Sequence, residues 1–362
     1  MQGLTLIDSV ALIAAAFVVS MILTRIFIVV GPRLGLMDEP DERRVHLTPV
    51  PRAGGLAVWL AFLIVLWVAD AIFLNLFVGQ HATKNLAWTI SSAILVLVGF
   101  IDDRTGLKPL VKLAGQATAA VVFYSIYYPE GFLLLGFDLS YAAGLVIFVI
   151  WCVALINAFN LIDGLDGLCG GLVVVSLSMI LTIAWSNGDW RDSAFIILMI
   201  GAVAGFLVYN FNPARIFLGD AGSMMLGFFI ASSANDVAGE RALIGSLMLP
   251  IAIAGVPLLD VMLAIWRRSS RRELQKTQGY ERKAGLFSAD KEHLHHRLLE
   301  MGLSQRKVAL ILQLFAVIIA CLCLLPMVAG GRAVVVTIFG FLIVGLFSVN
   351  HFARIELTEA GN

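Results

Sequence analysis

The chain has 362 residues, 60% of them hydrophobic and only 14% charged, with a mean hydropathy of +0.92. Soluble domains hold about 45–50% apolar and about 25% charged residues. The composition therefore excludes a soluble globule, a disordered chain, a coiled coil and a disulfide-stapled secreted domain, and leaves an integral membrane protein. The 25 basic and 25 acidic residues cancel, so net charge gives no reason to expect nucleic acid as a partner, and the placement of charge becomes the informative quantity.

A helix crosses the hydrocarbon core with about 20 apolar residues. In chain order the apolar runs are Ile7–Val30, Leu56–Val78, Leu86–Ile101, Leu110–Tyr127, Tyr141–Ala158, Leu168–Trp185, Ala194–Phe211, Ala221–Ala234, Ala242–Trp266, Val308–Ala329 and Ala333–Phe352. They predict an all-α, polytopic integral membrane protein with about eleven transmembrane helices, or ten if the short third or eighth run fails to span. The first run lacks a basic leader and reads as a retained span rather than a cleaved signal peptide. No soluble domain fits between the runs, so residues 1–362 form a single transmembrane domain. Cys152, Cys169, Cys321 and Cys323 fall in or beside apolar runs and read as packing residues, without the partner ligands a zinc site needs.

With eleven spans, the loops 31–55, 102–109, 159–167, 212–220 and 267–307 share one side with the C-terminus. That side carries 20 Lys and Arg against four on the other, Lys84, Arg191, Arg241 and Arg332. The positive-inside rule then places these loops in the cytoplasm and the N-terminus outside. Onto this cytoplasmic side fall Asp102, Asp103, Asp163, Asp166, Asp220 and Asp260, from four separate places in the chain. One aspartate at a loop end usually caps a helix; six at one depth repel unless cations compensate. Arg43, Arg44, Arg52 and the basic 267–307 loop supply part of that compensation. Asparagines among the carboxylates also suit Mg²⁺, which takes oxygen ligands and shares them with phosphates. Carboxylates, Mg²⁺ and arginines together describe a site for a nucleoside diphosphate.

Two runs sharpen the reading. In NAFNLIDGLDGL, Asn157, Asn160 and Asp163 are three apart and can share a helix face, while Gly164 and Gly167 let backbone approach a ligand. In FLGDAGS, Asp220 stands just before a helix N-terminus, where free N–H groups favour a phosphate. Neither is a Walker A loop or a Rossmann fingerprint. A third run, HLHHR, could present His293, His296 and Arg297 to phosphates from a short helix, or be a solvated loop.

The Asp102–Asp103 pair, NAFNLIDGLDGL, FLGDAGS and HLHHR, in that order across about eleven spans, resemble the polyprenyl-phosphate N-acetylhexosamine-1-phosphate transferase family. The likeness is nearest the bacterial undecaprenyl-phosphate GlcNAc-1-phosphate branch. The alternative branch, phospho-MurNAc-pentapeptide translocase, expects three consecutive histidines where this chain has Arg297 third. The resemblance implies transfer of a sugar 1-phosphate from a UDP-N-acetylhexosamine to undecaprenyl phosphate, at the cytoplasmic face of the inner membrane, giving UMP and a lipid diphosphate-linked sugar. By matched position it implies Asp220 and Asn160 as ligands of Mg²⁺ (with Mn²⁺ as substitute), and Asp102 and Asp103 as the acceptor-side catalytic pair. It puts Asp163, Asp166, Asn210 and Phe217 around the uridine and His295, His296 and Arg297 near the diphosphate. Besides both substrates and membrane lipid, a second copy of the chain in a homodimer is one option for a partner. The rival from another class is a secondary transporter of a phosphorylated solute, which would bind near the midplane; only Asp70 lies near mid-span.

Overall fold

The computed structural model describes residues 5–39, 48–72, 80–129, 133–134, 137–238, 253–260 and 294–329. The architecture is a helical bundle. Its helices are α1 (Leu6–Val30), α2 (Gly54–Ile72), α3 (Gln80–Thr105), α4 (Pro109–Tyr127), α5 (Tyr141–Ile162), α6 (Leu168–Ser186), α7 (Trp190–Asn210), α8 (Gly219–Ala238), α9 (253–260), α10 (Leu294–Glu300) and α11 (Gln305–Ala329). Two antiparallel ladders of two residues per strand interrupt it, β1 (Met37–Asp38) with β2 (Val50–Pro51) and β3 (Leu133–Leu134) with β4 (Phe137–Asp138). Among the described residues, eight helices are long and apolar enough to cross a membrane: α1 to α7 and α11.

The helix ends follow local chemistry. Thr5 and Asp8 form a reciprocal capping box on α1, with Asp8 N–H donating to Thr5 Oγ1 at 3.2 Å and Thr5 N–H to Asp8 Oδ2 at 3.1 Å. Pro109 starts α4 at a position whose missing N–H costs nothing. The third span is longer than its apolar run, at 26 residues, because polar residues extend it at both ends. The eighth is a helix of 20 residues whose stretch from Ala221 to Ala234 is buried, but it is absent from the eight by its polar composition. Of the run Ala242–Trp266 only 253–260 is described, as helix, and Ala333–Phe352 lies outside the described residues. The 267–307 loop is partly helical, since α10 lies within it and α11 begins at Gln305.

α8 is the axis of the bundle, packed by α2, α3, α5 and α6, while α1 packs on α7 and α2. Backbone meets backbone at its first turn. A Cβ on Gly55 would stand 2.2 Å from Gly222 N, and one on Gly99 2.3 Å from Ala221 Cα. Small residues at such crossings let helices approach without a side-chain spacer. This contact draws the ends of α2 and α3 onto the start of α8, which sets the site described below.

The opposite end of α3 is held differently. Lys84 Nζ pairs with Asp192 Oδ1 of α7 at 2.8 Å, the two side chains being 3% and 7% exposed. Beside the pair, Phe62, Trp88, Phe195 and Phe229 pack ring on ring, with centroids 4.6–5.8 Å apart. Removing one member of a buried pair leaves an uncompensated charge, at a cost of about 3–5 kcal/mol, whereas replacing both by apolar residues is often near neutral. Lys84→Met should therefore lower the stability of detergent-purified protein sharply, and Lys84→Met with Asp192→Leu should recover most of it. Equal melting temperatures for single and double variants would show that the pair does not hold this end.

Candidate active site

α3 ends in Asp102–Asp103, and the turn to α4 is closed by Leu107 N–H donating to Asp102 Oδ1 at 2.7 Å. One turn into α4, Lys112 Nζ donates to Asp102 Oδ2 at 2.9 Å and also to Asp220 Oδ2 in the first turn of α8. Two carboxylates far apart in sequence thus share a single ammonium nitrogen. The convergence expected of Asp102 and Asp220 is present.

Asp103 takes another direction. Its Oδ1 accepts from Asp220 N–H at 3.0 Å and its Oδ2 from Ala221 N–H at 3.2 Å, with the residue 9% exposed. The start of α8, expected to offer free N–H groups to a phosphate, already carries a carboxylate. Buried charge requires donors, and the positive end of a helix supplies them. Asp103 therefore fixes where Asp220 stands.

α5 contributes the amides. Asn160 Nδ2 donates to Ser223 Oγ at 2.9 Å, and Ser223 Oγ to Gly219 O at 3.1 Å. Asn157 Nδ2 donates to Gln116 Oε1 at 2.7 Å, so the shared face expected from the spacing is real and looks toward α4 and α8. Asp163 follows at the C-terminal cap of α5. Burial first, then the nearby carboxylates of Asp220 and Asp103, push its carboxyl well above the usual carboxylate range; the Arg52 guanidinium works against them. Arg52 is itself paired with Asp38 at 2.6 Å.

The turn from α5 to α6 is tied to the loop before α8. Asp166 Oδ2 accepts from Asn212 Nδ2 and from Ala214 N–H, both at 2.9 Å. Asn210, 5% exposed, accepts from Gly167 N–H at 3.0 Å and donates to Ile216 O at 2.8 Å. Gly167 O accepts from Gln313 Nε2 of α11 at 2.9 Å. Asp166 and Asn210 thus reach the same loop, where these bonds join its two segments. Half-buried Phe217 joins α8 to the 50–55 segment through its backbone, N–H to Pro51 O at 2.8 Å and O from Gly54 N–H at 2.9 Å.

The HLHHR region also arrives. His295 is 2% exposed, and a Cβ on Gly164 would stand 2.8 Å from its Nε2, so only glycine leaves room for the ring. Asp260 of α9 accepts from Leu294 N–H at 2.7 Å. Arg297 is half-buried on α10. His293, the side chain of His296, Arg43, Arg44 and the 267–292 segment lie outside the described residues.

Among the described residues no three His, Cys, Asp or Glu side chains gather as ligands of a metal ion. Mg²⁺ commonly uses one or two carboxylates and takes its other oxygens from phosphates and water. The donors here fit that habit: hard carboxylate oxygens of Asp102 and Asp220, with a cation, Lys112, already between them. Lys112, Gln116 and Ser223 were not singled out from the sequence. The signal was Lys112 and Gln116, one turn apart inside an apolar run, because an ionisable residue in a membrane helix marks a functional site by default.

A model for glycosyl transferase family 4 matches residues 85–237, the stretch holding Asp102, Lys112, Asn160, Asp163 and Asp220. The chain is 36% identical over 321 residues to decaprenyl-phosphate N-acetylglucosaminephosphotransferase of Mycobacterium tuberculosis, covering 80% of this chain and 75% of that one. It is 34% identical over 315 residues to a probable undecaprenyl-phosphate N-acetylglucosaminyl 1-phosphate transferase of Bacillus subtilis, covering 84% and 82%. It is 28% identical over 302 residues to the undecaprenyl-phosphate alpha-N-acetylglucosaminyl 1-phosphate transferase of Escherichia coli K12, covering 80% and 76%. With identities of 36% and 34% over at least 80% of its length, the chain belongs to the polyprenyl-phosphate N-acetylhexosamine-1-phosphate transferase family.

Proposed function

We propose that the chain transfers GlcNAc 1-phosphate from UDP-GlcNAc to undecaprenyl phosphate, releasing UMP, as the first membrane step of a cell-surface polysaccharide. The observation that carries this is the meeting of α3, α4 and α8 on the Lys112 ammonium. It assembles a charged site from residues of three helices inside the 85–237 stretch that the family model matches. With eleven spans, the 20-to-4 split of basic residues supports placing this end of the bundle in the cytoplasm of a plasma membrane.

The chemistry follows from two anions brought together. A lipid-phosphate oxygen forms a bond to the sugar-bearing phosphorus of the donor. The bridging P–O bond breaks, and UMP leaves with its electron pair. One phosphoanhydride replaces another, so the reaction is nearly isoenergetic and the barrier is largely charge repulsion. Such transfers depend on positioning and electrostatics. A phosphate monoester has its second pKa at about 6, so the acceptor is mostly a dianion at neutral pH and needs little help from a base. Asp103 accordingly orients α8, while Lys112, Arg52 and Arg297 lend positive charge around the diphosphate. Asp220 and Asn160 would hold Mg²⁺, together with Asp102, the other carboxylate that Lys112 bridges, and the ion when bound would draw charge from the diphosphate and the leaving UMP.

UMP release from UDP-GlcNAc by purified protein with undecaprenyl phosphate in detergent tests the assignment, and no release would overturn it. Asp220→Asn should lower turnover by at least about 10²-fold, the usual loss for one electrostatic stabiliser. Turnover equal to wild type across a Mg²⁺ titration would remove Asp220 from the metal role. Asp103→Asn should keep UDP-sugar binding and lose transfer.

The raised pKa of Asp163 gives a pH dependence with a definite sign. A carboxyl held above its ordinary value favours the folded state while protonated. That contribution is complete below the unfolded-state value, about 3.9, and is lost as pH climbs through the raised one. Metal-free protein should therefore melt lower as pH rises from acid toward and through the raised value, and Asp163→Asn should flatten the fall. Parallel slopes for the two proteins would show that Asp163 is not the group responsible.

A further inference from the structure

Lys112 holds a position that a second cation would need. Its nitrogen lies on Asp102 Oδ2 at 2.9 Å and on Asp220 Oδ2, with the lysine side chain 20% exposed and the two aspartates 14% and 24%. A divalent ion and an ammonium cannot both be seated against the same oxygen lone pairs. The charges also leave room for more positive charge. Among the described residues, Asp102, Asp103, Asp163 and Asp220 are met by Lys112 and by Arg52, and Arg52 already shares its guanidinium with Asp38. Lys112 is one turn into α4 on a flexible four-carbon stem, and such a stem can withdraw without moving the helix.

We propose that Lys112 is an exchangeable internal counter-ion, which neutralises Asp102 and Asp220 until a divalent cation displaces it. The inference rests on the transferase reading for its purpose, since the divalent ion is the one that reading requires. Physically it is a competition: one elementary charge bridging two carboxylates against two charges on the same oxygens, in surroundings where such attractions are much stronger than in water. Without metal, the lysine keeps the ends of α3 and α8 from repelling one another. With metal, the pair remains neutralised and a cationic side chain is released at the mouth of the site.

The test uses full-length protein in detergent with Mn²⁺ alone as probe and no substrate, so it is read independently of transfer. Free Mn²⁺ measured by electron paramagnetic resonance should show Lys112→Met binding the ion at least about tenfold more tightly than wild type, while Lys112→Arg does not tighten it. Lys112→Met should melt below wild type in chelator, and Mn²⁺ should raise its melting temperature by the larger increment. If that variant does not fold, wild type still decides the matter. Saturating Mn²⁺ should increase labelling of Lys112 by an amine-reactive reagent several-fold relative to Lys108, read by mass spectrometry. Unchanged or weaker Mn²⁺ binding in Lys112→Met, or Lys112 labelling indifferent to Mn²⁺, would overturn the exchange. Failure to release UMP from UDP-GlcNAc would instead remove the transferase reading and leave the competition standing.

Discussion

Carboxylates crowded at one end of an apolar bundle are tolerable only where each finds a donor or a cation, and this requirement organises the protein. Asp102 and Asp220 share Lys112, Asp103 takes two amides of α8, Asp166 takes an amide and a side chain from the loop before α8, and Asp260 takes the first amide of α10. All but the Asp102–Lys112 bond join elements distant in sequence. The electrostatic need and the tertiary structure are therefore satisfied by the same contacts, and a polar group without such a contact would cost several kcal/mol, on the order of 2–7.

α8 is the element on which these contacts converge. Its body is apolar and surrounded, so its translation and tilt are set by packing. Its first turn is approached by the glycines of α2 and α3 closely enough that side chains there would collide. Dry packing thus fixes the position of a charged turn. At the far end, an ion pair and four aromatic rings provide a second anchor about 27 Å along α3, by the rise of a helix.

Much of this was legible in the sequence. Apolar runs gave most of the helices, and the gathering of Asp102, Asp163 and Asp220 followed from counting spans. What escaped was partnership. Lys112 counted only as a basic residue of one side, because a linear pattern does not show which carboxylate a long side chain will reach. FLGDAGS was read as an open anion site, since the sequence of a helix start does not reveal that Asp103, on another helix, fills it. The resemblance puts Asp166 and Asn210 around the uridine by matched position, but it does not show the hydrogen bonds by which they also join the turn after α5 to the loop before α8. The third span read short because its polar ends, held by the ion pair at one end and Lys112 at the other, hide their helicity from a hydropathy count.

Gly167 has both backbone groups engaged by side chains of different helices, its N–H by Asn210 of α7 and its C=O by Gln313 of α11. Gln313 lies beyond the 85–237 stretch that the family model matches. The contour of the turn bearing Asp163 and Asp166 is therefore set jointly by α7, inside that stretch, and by α11, outside it. A change in α11 can reshape the surface that carries these aspartates without touching either of them.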